Sequence, residues 1–193
     1  DAQRDPEPTA VVEGDIVKGH PDYLGPISAT PQAVVEAMLE AVGVSAEDVV
    51  YDLGCNDGRV VITAAERYGC TGVGVEIDEG ACAKAEARAA EVSVSDRVRI
   101  DCGNVLDTDV ASATIVFLYL LPKGNVRLTS KLRSELRRGC RVVTYIFQLK
   151  GEWEADLKEV KALASTRDRK GSGIDTSAFN KLFIYELGSG SQA

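Results

Sequence analysis

The chain has one histidine, one methionine and one tryptophan, and scarcities of this kind close off chemistry. A lone histidine, with cysteines at 55, 70, 82, 102 and 140 and no CxxC pair among them, leaves no ligand set at zinc-site spacing. No apolar run approaches the roughly 20 residues that cross a bilayer, so no transmembrane segment is expected. The longest run, 113–122, is interrupted by Thr114 and Tyr119 and reads as a buried strand. Internal repeats are absent. So is an excess of positive charge: the net charge is −8, which argues against a general nucleic-acid partner.

What is present fits one globular domain. The 193 residues are 45% hydrophobic and 27% charged, enough for a real core without membrane-like or disordered composition. The charge is uneven. Residues 1–113 hold 22 acids and 8 bases, and residues 114–193 hold 8 acids and 14 bases. The basic C-terminal part is therefore a candidate surface for an acidic protein partner. The odd cysteine count in a chain with ample core predicts free thiols in a reducing intracellular compartment, the cytoplasm or an organelle matrix such as that of a mitochondrion or plastid. Because the one methionine is Met38, Asp1 is expected to be a cut or processed end.

Residues 1–26, rich in Pro, Asp, Glu and Gly, read as an extended arm. Residues 27–187 read as the folded domain, and 188–193 as a flexible tail. A helix is expected with Thr30 as N-cap, Pro31 in its first turn, an apolar stripe at Val34, Val35, Met38, Leu39 and Val42, and Gly43 as its end. From residue 48 strands and helices alternate. Strands are expected at 49–53, 72–77, 98–102, 114–121 and 140–147. Helices should follow the first, second and fourth, running to Arg67, to about Glu91 and over 123–138. The second carries a stripe of Ala81, Cys82, Ala85, Ala89 and Val92. This rhythm predicts an α/β fold with a mostly parallel sheet covered on both faces. Two closing strands, near 158–165 and at 182–185, would form a hairpin, with a polar loop at 167–173.

Gly54 and Gly58 lie directly after the first strand and before a helix, where glycines let backbone approach a ligand and helix N–H groups meet an anion. The dinucleotide pattern fails at Asn56 and Arg59, and the phosphate loop fails at Arg59-Val60. Asp52, at the strand tip, would repel a pyrophosphate but suits a ligand carrying an ammonium group beside a carboxylate. The methionine half of S-adenosylmethionine is such a ligand. Glu76, ending the second strand, is placed to accept hydrogen bonds from two ribose hydroxyls.

With these two motifs, Val49 to Arg59 and Gly72 to Asp78, the chain resembles class I methyltransferases of Rossmann-like fold. That resemblance implies a seven-stranded sheet with its last strand antiparallel. It implies S-adenosylmethionine as cofactor, with contacts from Thr30, Asp52, Gly54, Cys55, Asn56, Gly58, Glu76 and Ile77, and with Asn104 and Val105 near the adenine. A narrower likeness covers roughly residues 24–155. Ala29-Thr30-Pro31-Gln32, the segment 113–122 and Arg141-Val142-Val143 with Trp153 resemble small bacterial and mitochondrial protein-lysine methyltransferases that modify ATP synthase subunit c and the adenine nucleotide carrier. The expected acceptor is then a lysine amine on a protein or protein complex, oriented by a carbonyl or by the Tyr119 hydroxyl as catalytic residue.

Departures from that family fall mostly on the acceptor side. Ile27 stands where tyrosine is usual, Asn104 where an acid is usual, and Tyr145-Ile146 where polar residues are usual. Asn56 replaces the commoner glycine. They motivate an alternative, a catalytically inactive structural or assembly subunit of a larger, organellar complex; methylation of a small molecule is a third reading. Among other side chains, Lys123, Arg127, Lys131 and Glu135 share a helix face, and Trp153 is expected to pack as a lid. His20 carries no assignment. Cys55 is expected to fill space beside the cofactor, near a helix N-terminus that would lower its pKa.

Overall fold

The computed structural model describes residues 30–120, 122–163 and 181–188, with backbone alone at 122–125. The expected arm, Ile27, His20, the loop at 167–173 and the tail beyond Gly188 lie outside these residues; Gly188 itself is held, its amide donating to Asp156 Oδ1 (3.0 Å). Five strands alternate with four helices: α1 (Gln32–Val42), β1 (Val49–Leu53), α2 (Arg59–Tyr68), β2 (Thr71–Glu76), α3 (Glu79–Glu91), β3 (Val98–Cys102), β4 (Ile115–Leu118), α4 (Pro122–Glu135) and β5 (Arg141–Tyr145). A 3-10 turn at Gly151–Asp156 leads into β6 (Leu157–Ala162), and β7 (Lys181–Glu186) completes the described elements.

The strands form one seven-stranded sheet in the order β3-β2-β1-β4-β5-β7-β6. β1 to β5 are parallel, and β7 runs antiparallel between β5 and β6. Strands such as Val49-Val50-Tyr51-Asp52-Leu53 are apolar on both sides because both faces are covered. On one face α1, α2 and α3 bury Val35, Leu39, Val61 and Ala89 against Val50, Phe117 and Val143. On the other, α4 buries Leu128 and Leu132 with Trp153 and Tyr185 against Tyr51, Val116 and Val142.

The amino-terminal edge of the sheet is locked by a buried carboxylate. Asp48 accepts hydrogen bonds from Arg141 Nη2 (2.5 Å), Thr114 Oγ1 (2.6 Å) and the Ser45 amide (2.8 Å). Arg141 Nη1 also donates to the carbonyl of Val42 at the end of α1 (2.6 Å). Burial pushes the Asp48 pKa up, but the bonds from Thr114, Ser45 and Arg141 outweigh it and hold the group below its ordinary value.

Several expectations need correction. Pro31, not Thr30, caps α1: its backbone is extended (φ −56°, ψ 141°), and its carbonyl accepts from Val34 and Val35. Val92 leaves the α3 stripe and is 37% exposed. β4 stops at Leu118, because its partner β1 ends at Leu53 and turns away. Trp153 is no lid: it is 1% exposed in the core, edge-on to Tyr185 and beneath Arg133, whose guanidinium lies 5.3 Å from the ring centroid. The thiols are not all free, since Cys82 and Cys102 are joined as a disulfide, leaving Cys55, Cys70 and Cys140 buried and unpaired. Among the described residues no helix is long and apolar enough to cross a membrane, and no cluster could hold a metal ion.

Candidate functional site

The strand order changes direction between β1 and β4, and in open α/β sheets ligands sit outside the carboxyl ends of the strands at such a point. The loop 54–58 occupies this place. As β1 ends, the amides of Gly54 and Cys55 both donate to the carbonyl of Val75 (2.8 and 3.0 Å), which pins the loop to β2. Gly58 then takes φ +70° to launch α2, and a Cβ there would stand 3.0 Å from that of Ala85. Asn56 also lies in the left-handed region (φ +49°), which asparagine tolerates better than most side chains. It therefore fits the backbone role of the glycine it replaces.

Glu76 is fixed by three amides. Oε1 accepts from Ile77 (2.8 Å) and Asp78 (3.0 Å), and Oε2 from Asn56 (2.9 Å). Oε1 is thereby filled, and Oε2 keeps a lone pair for one further donor. Asp52 is different: it is 7% exposed, and no described residue donates a hydrogen bond to its carboxylate. Burial first, then the negative charges of Glu76 and Asp57, push its pKa up to about 7. A desolvated acid beside other acids, without a donor, is a place that calls for a cationic group.

Asp57 is the compensated member of the cluster. Its carboxylate accepts Arg59 Nε and Nη2 (both 2.8 Å) and Arg88 Nη1 (2.8 Å), and Arg59 Nη1 donates to the carbonyl of Thr30 (2.8 Å). Burial pushes this acid up, but the hydrogen bonds and charge of Arg59 and the charge of Arg88 hold it below its usual value. Thr30, itself buried, is thereby tied to the loop through its backbone. Nothing in the chain's spacing announced this network, because Arg88 reaches Asp57 from α3, 31 residues away.

Cys55 points into the sheet. Its Sγ would stand 2.7 Å from a Cβ placed on Gly74, and burial, Asp52 and Glu76 push its thiol pKa strongly up. The lowering expected from a helix N-terminus is overridden. After β3, the amide of Gly103 donates to the carbonyl of Glu76 (2.7 Å). Asn104 Oδ1 accepts from the amide of Leu106 (3.0 Å), closing a tight turn, and Val105 is buried in the α4-side core. Six of the sequence-derived positions, Asp52, Gly54, Asn56, Gly58, Glu76 and Ile77, thus converge at the ends of β1 and β2. Asn104 and Val105 follow on the β3 side.

Tyr119 follows β4 and meets a residue that sequence reasoning left without a role. Its ring centroid lies 5.0 Å from that of Tyr145, at 56° between the planes. Burial and then Tyr119 push the Tyr145 phenol above its ordinary pKa. Next to it Ile146 adopts φ +68°, a strained conformation for a β-branched residue. The turn is held by Phe147 N donating to Tyr145 O (2.8 Å), Ile146 N to Lys181 O (2.9 Å) and Thr144 Oγ1 to Phe147 O (2.6 Å). Such strain persists where surrounding structure over-determines it, and it gathers at functional sites.

Residues 52–157, more than half of the chain, match the family described as the ANTKMT methyltransferase domain. The chain is similar to a protein-lysine N-methyltransferase of Saccharolobus islandicus, 42% identical over 127 residues that make up 65% of this chain and 79% of that protein. Its fold is similar to that of an RNA methyltransferase from Salinibacter ruber solved with S-adenosyl-L-homocysteine, with a TM-score of 0.70 and 36% identity over 83% of this chain and 94% of that one. A geranyl diphosphate C-methyltransferase from Streptomyces coelicolor, also solved with S-adenosyl-L-homocysteine, aligns with a TM-score of 0.53 and 27% identity over 58% of this chain and 44% of that one.

Proposed function

The chain belongs to the ANTKMT methyltransferase domain family, and from that premise we propose that its methyl acceptor is the side-chain amine of a protein lysine. It is an S-adenosylmethionine-dependent methyltransferase of Rossmann-like fold. When bound, the cofactor supplies an electrophilic methyl group on a sulfonium. The residues present suit it. The uncompensated carboxylate of Asp52 answers an ammonium group, the loop 54–58 offers close backbone, and Glu76, oriented by three amides, keeps a lone pair on Oε2 for a ribose hydroxyl. Asn104 and Val105 would flank the adenine, with Ile77 beside them and Thr30 held against the loop by Arg59.

On this reading Tyr119 and Tyr145 form one wall of the acceptor path. A lysine amine needs to lose its proton, shed water and line up with the methyl group, and positioning accounts for most of the rate in such a transfer. The Tyr119 hydroxyl orients the amine, and the paired rings offer π faces to an alkylammonium approaching from solvent. The strained turn at Ile146 keeps Tyr145 against its partner. The similarity to the Saccharolobus islandicus enzyme, which is named for lysine N-methylation and matched over most of its length, carries this proposal.

Incubation with radiolabelled S-adenosylmethionine and a cell lysate tests it. Label that survives nuclease, is released by protease and elutes as methyl-lysine after acid hydrolysis is the expected result. Label lost to ribonuclease instead would favour an RNA acceptor, the reading that the name of the Salinibacter ruber protein raises. The net charge of −8 speaks against that alternative, since polyanion binding rests on a cationic footprint.

A further inference from the structure

Cys82 and Cys102 are joined beside Glu76. Cys82 sits in the first turn of α3, two residues beyond Gly80, and its Sγ is 3.4 Å from the carbonyl oxygen of Glu76. Cys102 ends β3 and is the register partner of Glu76 itself. Their Cα atoms are 5.9 Å apart, inside the range a disulfide spans without moving backbone. Cys82 is buried at 4% exposure, whereas Cys102 is exposed, so one sulfur is reachable from solvent and the other is not. Three links therefore join the β2–α3 loop to the end of β3: the disulfide, the Gly103 amide on the Glu76 carbonyl (2.7 Å), and the strand pairing.

We propose that Cys82 and Cys102 are a reversible dithiol/disulfide site that sets how tightly the chain holds the adenosine part of its cofactor. The inference rests on the placement of adenosine at Glu76, Asn104 and Val105 given above. The disulfide ties together the two segments that carry those residues, Glu76-Ile77 and Gly103-Asn104-Val105, so their spacing is fixed before the ligand arrives. Preorganisation of this kind strengthens binding by removing an ordering cost. Reduction releases the tie and creates a Cys82 thiol placed to donate to the Glu76 carbonyl, which changes the surroundings of the carboxylate's own residue.

The exchange balances with a dithiol reductant. A thiolate of the reductant attacks the exposed Cys102 Sγ, the Cys82–Cys102 bond breaks, and Cys82 leaves as a thiolate that takes up a proton. The reductant's second thiol attacks the mixed disulfide and frees Cys102, so two electrons and two protons pass to the protein and the reductant ends as a disulfide. A low-molecular-weight disulfide reverses the process.

The test uses the whole chain, equilibrated with oxidised glutathione or with dithiothreitol. Alkylation in denaturant should count three free thiols in the first sample and five in the second. Calorimetry with S-adenosylmethionine should give an affinity about fivefold weaker in the reduced sample. Cys82→Ser/Cys102→Ser should bind as the reduced protein under both conditions, and Cys140→Ser should keep the response. Five thiols in both samples overturn the proposal, as does an affinity that is unchanged or tighter on reduction. Glu76→Ala separates this result from the reading it rests on. If that variant binds the cofactor normally, the adenosine placement fails; if it binds weakly while redox state has no effect, the thiol site fails.

Discussion

At the scale of single residues, the proposed role of Asp52 sets stability against ligand affinity. Its pKa is about 7 in the folded chain against an unperturbed 3.8, so the folded state holds a proton that the unfolded state has released. The stability this gives is complete below about pH 4 and is lost as pH rises through 7. Asp52→Asn should therefore raise the melting temperature of the cofactor-free protein most at pH 8, by less at pH 5, and hardly at all near pH 3. The same variant should lose S-adenosylmethionine affinity by tenfold or more, and calorimetric titration checks that. Wild-type affinity should strengthen from pH 6 to pH 8, because a cation is better held once the acid is ionised. Gly74 is a second such position. Gly74→Ala would press a Cβ to 2.7 Å from Cys55 Sγ and 3.0 Å from Ile100 Cδ1, an overpacking worth about 1–3 kcal/mol in urea unfolding. Cys55→Ala removes the sulfur, so the double variant should recover part of the loss, a coupling a double-mutant cycle measures. Asp52 and Glu76 were legible in the sequence as members of the candidate site because a carboxylate at a strand tip beside glycines has few structural uses. The inward turn of Cys55 was not legible, since it depends on space left by a glycine on the next strand.

Elements tell a similar story about what local pattern can encode. The apolar runs that became β1, β2 and β3 were bounded well because turn chemistry brackets them at both ends. β4 and β5 end earlier than their runs of apolar residues do. β4 loses its partner when β1 turns at Gly54, and β5 is stopped by the left-handed turn at Ile146, which no residue type there signals. α1 begins one residue later than its capping pattern indicates, because the Thr30 carbonyl is taken by Arg59 rather than by the helix. At the opposite edge, Arg141 and Asp48 fasten β5, β1 and the end of α1, and neither was visible as a partner of the other across 93 residues. Arg141→Ala leaves a buried carboxylate short of its cation and should cost about 2–3 kcal/mol, a drop in the urea midpoint without change in slope. Since Asp48 is held below its ordinary pKa, its contribution is present above the unfolded value near 4 and disappears as pH falls further. The variant should lose less stability on acidification than the parent does.

Over the whole molecule, alternating strands and helices were enough to specify a covered parallel sheet. The order of the strands was not contained in that alternation: resemblance of the two cofactor motifs to a known fold supplied the number of strands and the antiparallel last one, and the order is seen only in the structure. The sheet keeps its amino-terminal edge rigid while the carboxyl edge carries loops, so acceptors can change without disturbing the frame. Charge acts at this scale as well. An acidic chain of net −8 attracts a basic protein segment at long range, and salt screens that attraction beyond about 10 Å at 0.1 M. Raising ionic strength should thus increase KM for a lysine-bearing protein acceptor several-fold and leave kcat unchanged, which steady-state kinetics at two salt concentrations would show.

The contact between Cys55 and Gly74 also bears on how such a sheet can change over generations. A side chain entering at 74 is overpacked until the one at 55 has shrunk, and shrinking 55 first opens a hole beneath the loop. Either order passes through a weakened intermediate. Lineages should then keep both residues or have replaced both, and descendants bearing only one of the two changes should be rare.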